Sequence, residues 1–221
     1  MNTIDSVCRG VIGIQDNGAS HDPVYKLAER LVVSWGLSRS ASVLDLGGGA
    51  GSFSATLLSQ FTQVHLMDFA PVARDGRIRY ATGDLNDRLP YTDATFDAVA
   101  ALEVIEHLEN PRAFVREIAR ILKPGGRCLL TTPNQTSLTS KVCLLLRDEF
   151  QHFQASSYPA HITALLPIDL KRVATEAGLT FAGLYYTDDG RIPGTVRRWQ
   201  ALPFLTGKWF SDNLAVVALK P

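Results

Sequence analysis

Ser42-Val43-Leu44-Asp45-Leu46, followed at once by Gly47-Gly48-Gly49-Ala50-Gly51, is the stretch that decides the fold. The first five residues read as a short buried strand, apolar apart from Ser42 and Asp45. The strand runs without a spacer into glycines at 47, 49 and 51. From residue 52 to 61 the spacing of Phe53, Thr56, Leu57 and Phe61 becomes helical. Glycine lets the backbone take positive φ and pass close to a ligand. A turn of this kind can receive a nucleotide-like group at a helix N-terminus.

Outward from this point, strand and helix alternate. Before it, Asp22-Pro23 opens a helix carried by Tyr25, Leu27, Ala28, Leu31, Val32 and Trp35, and Gly36 stops it. After it, residues 63–69 form a second strand that ends at Asp68, and residues 78–82 a third that ends at Gly83-Asp84. Residues 96–104 form a fourth strand, almost continuously apolar, as expected where both faces are covered. Residues 111–122 form an amphipathic helix stopped by Lys123-Pro124-Gly125-Gly126, and residues 127–132 a fifth strand. Residues 134–160 read as irregular, and residues 167–177 as a helix ended by Gly178. Strands at 179–186 and 214–219 close the chain and can pair antiparallel at one edge. The pattern predicts an α/β fold in one domain over residues 1–221, a Rossmann-like doubly wound sheet, mostly parallel.

The whole chain narrows the function classes. Its 221 residues carry 46% apolar and 20% charged side chains, ordinary for a globular chain with a full core. The formal net charge is zero, so no nucleic-acid partner is expected. Cys8, Cys128 and Cys143 are widely spaced, with no CxxC pair for zinc or redox work. Sparse cysteines, no secretory signal in the first ten residues and no apolar run of about 20 residues predict a cytoplasmic protein without a transmembrane segment.

The acids at the strand ends point to a site. A dinucleotide fingerprint needs G-x-G-x-x-G, but counting from Gly47 the third position is Ser52, and from Gly49 it is Ser54. Asp45 would also lie close to any pyrophosphate. An acid there suits a cationic ligand end, such as the ammonium and sulfonium of S-adenosylmethionine. Asp68 lies 17 residues past Gly51, a spacing suited to ribose hydroxyls. Asp84 can accept from an adenine amino group. One acid alone would be an ordinary turn cap. Three acids at three successive strand ends mark the edge where open α/β sheets bind ligands.

At this point the chain resembles the class I S-adenosylmethionine-dependent methyltransferases. Val43 to Gly51 resembles that family's first motif. Gly83-Asp84-Leu85, Leu89-Pro90-Tyr91 and Phe96-Asp97-Ala98-Val99 resemble the middle motifs. Glu103-Val104-Ile105-Glu106-His107-Leu108-Glu109-Asn110-Pro111 and Leu122-Lys123-Pro124-Gly125-Gly126 complete a set that covers about residues 22–185 in order. Thr131-Thr132-Pro133-Asn134 and His161-Ile162-Thr163 bring it nearest to the ubiquinone-biosynthesis O-methyltransferases and their polysaccharide-pathway relatives. The resemblance implies a seven-stranded sheet with a reversed last strand. It implies S-adenosylmethionine held by Asp45, Gly47, Gly49, Gly51, Asp68, Phe69, Asp84 and Leu85, with Leu102 and Glu103 flanking it. One departure is that residues 69–77 are too few for the helix usual there.

Glu103, Glu106 and His107 stand at i, i+3 and i+4, and share one face if the chain has turned helical. With His161 as a fourth ligand they resemble the magnesium site of some O-methyltransferases. Two carboxylates and two imidazoles suit zinc or manganese as well as magnesium. Without a cation, His107 or His161, with Glu106 beside them, can serve as a general base. Glu-x-x-Glu-His also occurs where only a helix start is needed.

Acceptor choice is expected to lie in residues 1–21, 134–165 and 187–213, where Phe150, His152, Phe153, Tyr158, Arg191, Arg197, Arg198, Trp199 and Trp209 cluster. The expected reaction is O-methylation of a small molecule or glycan precursor. The alternatives are metal-independent methylation of nitrogen or carbon, and a cofactor-binding inactive subunit.

Overall fold

The computed structural model describes residues 22–70, 75–192, 197–202 and 204–221. The expected acceptor-side segment 1–21 lies outside the described residues, and segment 187–213 is described only in part.

Helix α1 (Asp22–Ser34) precedes strand β1 (Ser42–Leu46), and α2 (Ser52–Leu57) follows the glycine turn. Strands β2 (Gln63–Asp68), β3 (Ile78–Thr82) and β4 (Phe96–Ala101) follow, then helix α3 (Pro111–Ile121) and strand β5 (Leu122–Pro133). Helix α4 (Leu138–Arg147), helix α5 (Pro167–Glu176) and strands β6 (Thr180–Tyr186) and β7 (Asn213–Leu219) complete the chain. The sheet has seven strands in the order β3-β2-β1-β4-β5-β7-β6. The pairs β1–β2, β2–β3, β1–β4 and β4–β5 are parallel, and β7 runs antiparallel to both β5 and β6. The sheet is the expected one, with the reversed strand β7 inserted inside the edge and β6 outermost.

Alternation along each strand builds two cores. Leu44, Val99, Leu130 and Val216 point into one cluster, which α3 and α5 cover with Phe114, Ile118 and Leu170. Val43, Ala98, Leu129 and Ala215 point into the other, which α1 and α2 cover with Leu27, Leu31 and Phe53. Both faces are covered over the central strands, which is why β4 and β7 read as nearly continuous apolar runs, while the edge strands β3 and β6 keep exposed residues. Asn110 caps α3, its Oδ1 accepting from Ala113 N at 2.9 Å, and Pro111 fits the first turn.

Three local expectations are corrected. β4 ends at Ala101 rather than 104, because Glu103 takes φ 55° and breaks the extended run. Residues 134–160 are not wholly irregular. They contain α4, started by the Ser137 side chain accepting from Ser140 N at 3.1 Å. Lys123 to Gly126 does not separate helix from strand. The ladder already pairs Phe96 with Leu122, shifts register, and resumes at Ala98 with Arg127. Gly125 N and Gly126 O find their partners on Lys220, near the far end of the chain. Among the described residues no helix is long and apolar enough to cross a membrane.

Candidate active site

Strand order reverses between β1 and β4, and both carboxyl ends open on the same edge. That is where ligands bind in open α/β sheets. The glycine turn lies there. Gly47, Gly49 and Gly51 take φ of 73°, 50° and 82°, the left-handed region that favours glycine. A Cβ on Gly47 would come within 2.4 Å of Val104 Cγ2, with Leu85 Cδ1 also in contact at 3.5 Å.

The three predicted acids stand at the ends of three adjacent strands. Asp45 is 1% exposed and lies beneath the turn, where a Cβ on Gly48 would come 2.6 Å from its Oδ2. Ser54 Oγ donates to that oxygen at 2.7 Å. Burial raises the Asp45 pKa to about 6, against the lowering effect of Ser54, and the charge of Asp68 adds to the rise. Asp68 Oδ2 accepts from Gly49 N at 2.9 Å and so fixes the turn to the end of β2. Asp84 Oδ1 accepts from Asn86 N at 2.9 Å and Asn86 Nδ2 at 3.0 Å. Phe69, half exposed, follows Asp68, and Leu102 is buried at the end of β4. All of the predicted cofactor residues therefore share this edge or the turn above it. Ser54 is a member that motif reading missed. Its signal was an interior serine on a helix that otherwise buries Phe53 and Leu57.

The second half of the site lies past β4. Ile105–His107 is a 3-10 turn. Glu106 is fully buried, and among the described residues neither Oε1 nor Oε2 has a hydrogen-bond partner of normal geometry. An ionised carboxylate in that state is costly. Burial, and next the charge of Glu103, hold the Glu106 pKa well above the ordinary carboxylate value. His107 and His161 stand beside it. One ligand atom from each of Glu106, His107 and His161 lies within 4.8 Å of the others. The two imidazoles meet edge to face with centroids 4.8 Å apart, and Phe153 packs on His161 at 5.4 Å.

The chain between residues 152 and 163 is bound tightly to this turn. Ile162 N and Thr163 N both donate to Glu106 O at 3.0 Å, and Thr163 Oγ1 donates to Leu108 O at 2.8 Å. His107 Nδ1 bonds to Ala160 O at 2.8 Å, and His161 Nδ1 to His152 O at 2.6 Å. A carbonyl oxygen only accepts, so each Nδ1 carries the proton and the neutral ring's lone pair lies on Nε2. Backbone carbonyls that fix tautomer and ring direction in this way are typical around imidazole ligands and bases. His152 itself is driven to a pKa of about 4, first by burial and then by His161 and Arg191.

Glu103 corrects the expectation of a shared helical face. Its φ of 55° turns it out of the Glu106–His107–His161 group. Its carboxylate accepts from Thr131 Oγ1 at 2.8 Å and Asn213 Nδ2 at 2.6 Å, tying β4 to β5 and β7. Strain of this kind persists where surrounding bonds over-determine it. Thr131 and Asn213 were not predicted as site residues.

Comparison with known proteins gives the family and the fold. The family described as "Methyltransferase domain" matches residues 20–182. The ubiquinone biosynthesis O-methyltransferase of Xanthomonas oryzae pv. oryzae (strain PXO99A) is 32% identical over 144 residues, covering 57% of this chain and 60% of that protein. The chain thus matches less than two thirds of that curated relative's length. A methyltransferase in complex with the Trm112 methyltransferase activator of Haloferax volcanii superposes with a TM-score of 0.68 at 19% identity, over 97% of each chain. Magnesium protoporphyrin IX methyltransferase from Synechocystis PCC 6803, solved with bound SAH, gives 0.62 at 16% identity, over 100% of this chain and 95% of that one. At these identities the structures share the fold. The match over residues 20–182 goes further: this chain belongs to the methyltransferase-domain family, that of the S-adenosylmethionine-dependent methyltransferases.

Proposed function

We propose that the chain transfers the methyl group of S-adenosylmethionine to a hydroxyl oxygen of a small molecule or glycan precursor. The observation that carries the oxygen acceptor is Glu106, buried with both carboxylate oxygens unpartnered beside two imidazoles whose lone pairs lie on Nε2. An alcohol is a poor nucleophile until its proton is removed, whereas the sulfonium is already a good leaving group. The site supplies what the alcohol lacks. The relative named for O-methylation in ubiquinone biosynthesis supports the same reading.

The acceptor oxygen attacks the methyl carbon in line. The sulfur–methyl bond breaks with its electron pair going to sulfur, which leaves neutral S-adenosylhomocysteine. The hydroxyl proton passes to Nε2 of His161 or His107, or to Glu106. Asp45, the glycine turn, Asp68 and Asp84 hold the donor so that its methyl faces this group, and proximity supplies much of the rate.

The same donor set fits a divalent cation. Two buried carboxylate oxygens without hydrogen-bond partners among the described residues, and two imidazoles whose Nδ1 protons are held by backbone carbonyls, would hold magnesium, manganese or zinc, with Glu103 outside the set. Such a cation, when bound, lowers the acceptor hydroxyl's pKa and orients it.

The test is transfer of labelled methyl from S-adenosylmethionine into hydroxyl acceptors, with and without EDTA. Label in an oxygen-linked product that falls with chelator and returns with added cation supports the full reading. Label that persists in EDTA leaves the histidines as bases and removes the cation. Label on nitrogen or carbon overturns the acceptor assignment.

A further inference from the structure

Helix α4 does not contribute to either core. It buries only Thr139 and Ser140, while Leu144, Leu145 and Leu146 are 40%, 83% and 74% exposed. Single exposed leucines need no explanation. Three in a row do, because successive helical residues point about 100° apart and together cover about 200° of the helix. A helix that packs on a protein presents an apolar stripe of about 100°. An arc twice that width suits a medium that surrounds the helix end.

The neighbouring charges indicate which medium. Trp209, half exposed, carries Lys141 Nζ 3.6 Å over its ring, with Lys208 Nζ 6.0 Å from the same centroid. Neither lysine forms an ion pair with a carboxylate among the described residues. Arg147 ends the helix. Residues 138–147 and 204–209 together hold Lys141, Arg147 and Lys208 and no acid, although Asp148 and Glu149 follow directly. Phe204 is 77% exposed on the same loop as Trp209.

We propose that the leucine end of α4 and the Trp209 loop dock on an anionic bilayer. The leucines and Phe204 enter the acyl boundary. Trp209, with its flanking lysines, sits at the level of the headgroups, where amphipathic rings and long cationic side chains are at home. Lys141, Lys208 and Arg147 meet lipid phosphates. Leu138 N donates to Trp209 O at 2.8 Å, and Gln151 N donates to Ser140 Oγ at 3.4 Å, one residue before His152. The docked face is therefore the outer wall of the acceptor side, and it would present that side to the membrane. The inference holds whichever acceptor is methylated.

The test is flotation of the full chain with phosphatidylcholine vesicles made with and without phosphatidylglycerol. Wild type is expected to float with the anionic vesicles and to be released by salt. Leu145→Ser with Leu146→Ser should lower partitioning by about ten-fold or more. Lys141→Gln with Lys208→Gln should lower it by about ten-fold, on anionic vesicles only. Both variants change surface residues, and an unaltered melting shift with S-adenosylmethionine shows that they fold and bind. Failure to float, equal flotation on neutral vesicles, or full binding by the leucine variant would overturn the proposal. So would a dimer in vesicle-free sedimentation that the leucine variant dissolves, because the occupant would then be a second copy.

Discussion

The two halves of the proposed site are built in different ways. The donor half, from β1 to β3, is a turn and three acids fixed directly by strand ends. Gly47 N donates to Met67 O at 2.7 Å and Gly49 N to Asp68 Oδ2 at 2.9 Å. The acceptor half is a 3-10 turn that becomes a site only when residues 152–163 are bonded onto it. The bond from His107 to Ala160 spans 53 residues, and that from Thr163 to Leu108 spans 55. A donor that every member of the family shares can be held by a local motif. The proposed acceptor is met by a segment brought in from more than 50 residues away.

That contrast predicts separable defects. Glu106→Ala should lower turnover by about 1000-fold, within the range for acid–base or metal-assisted steps, and leave the Kd for S-adenosylmethionine unchanged in a titration. A parallel loss of affinity would show that the halves are not separate. Asp68→Ala should do the reverse and weaken donor binding by about 100-fold. It removes a carboxylate whose charge-assisted bonds contribute about 1.5–3 kcal/mol each. An unchanged affinity would discard Asp68 as a donor contact.

Smaller effects sharpen the donor half. Ser54→Ala leaves Asp45 Oδ2 without its donor and should cost about 1–2 kcal/mol, a fall of about 3–6 °C in Tm. Asp45 also sets a pH dependence. Its folded pKa of about 6 lies above the ordinary 3.8. The folded chain therefore holds this proton more tightly than the unfolded one. The Asp45 contribution to stability without donor is complete below about pH 4 and is lost as pH rises through about 6. Donor affinity should move the other way, rising by about ten-fold from pH 5 to pH 7 as the carboxylate becomes available to a cationic ligand. Asp45→Asn should flatten both profiles, and a pH dependence that survives it would assign the titration elsewhere.

Legibility in the sequence followed the same division. Helix α3 could be read because Asn110, Pro111 and the apolar spacing of Phe114, Val115, Ile118 and Ile121 are all local. The strand-end acids could be read because each lies within two residues of the carboxyl end of its own strand. Glu103 could not. Its i, i+3, i+4 spacing suggested a shared helical face, but its partners Thr131 and Asn213 lie 28 and 110 residues away. Helix α4 was missed because Leu144, Leu145 and Leu146 form no stripe toward a core, and periodicity detects only helices that bury one face. His161 was expected beside His107 through family resemblance. The carbonyls of Ala160 and His152 that orient the two rings carry no side-chain signature.

In the proposed reaction Glu106, His107 and His161 act as one cation-binding and proton-handling group on the acceptor side. Manganese binding, followed by electron paramagnetic resonance on the full chain, tests it most directly. One bound ion per chain is expected in wild type, lost in both Glu106→Ala and His161→Ala and retained in Asp68→Ala. No binding by wild type, or binding that survives loss of Glu106, would contradict it.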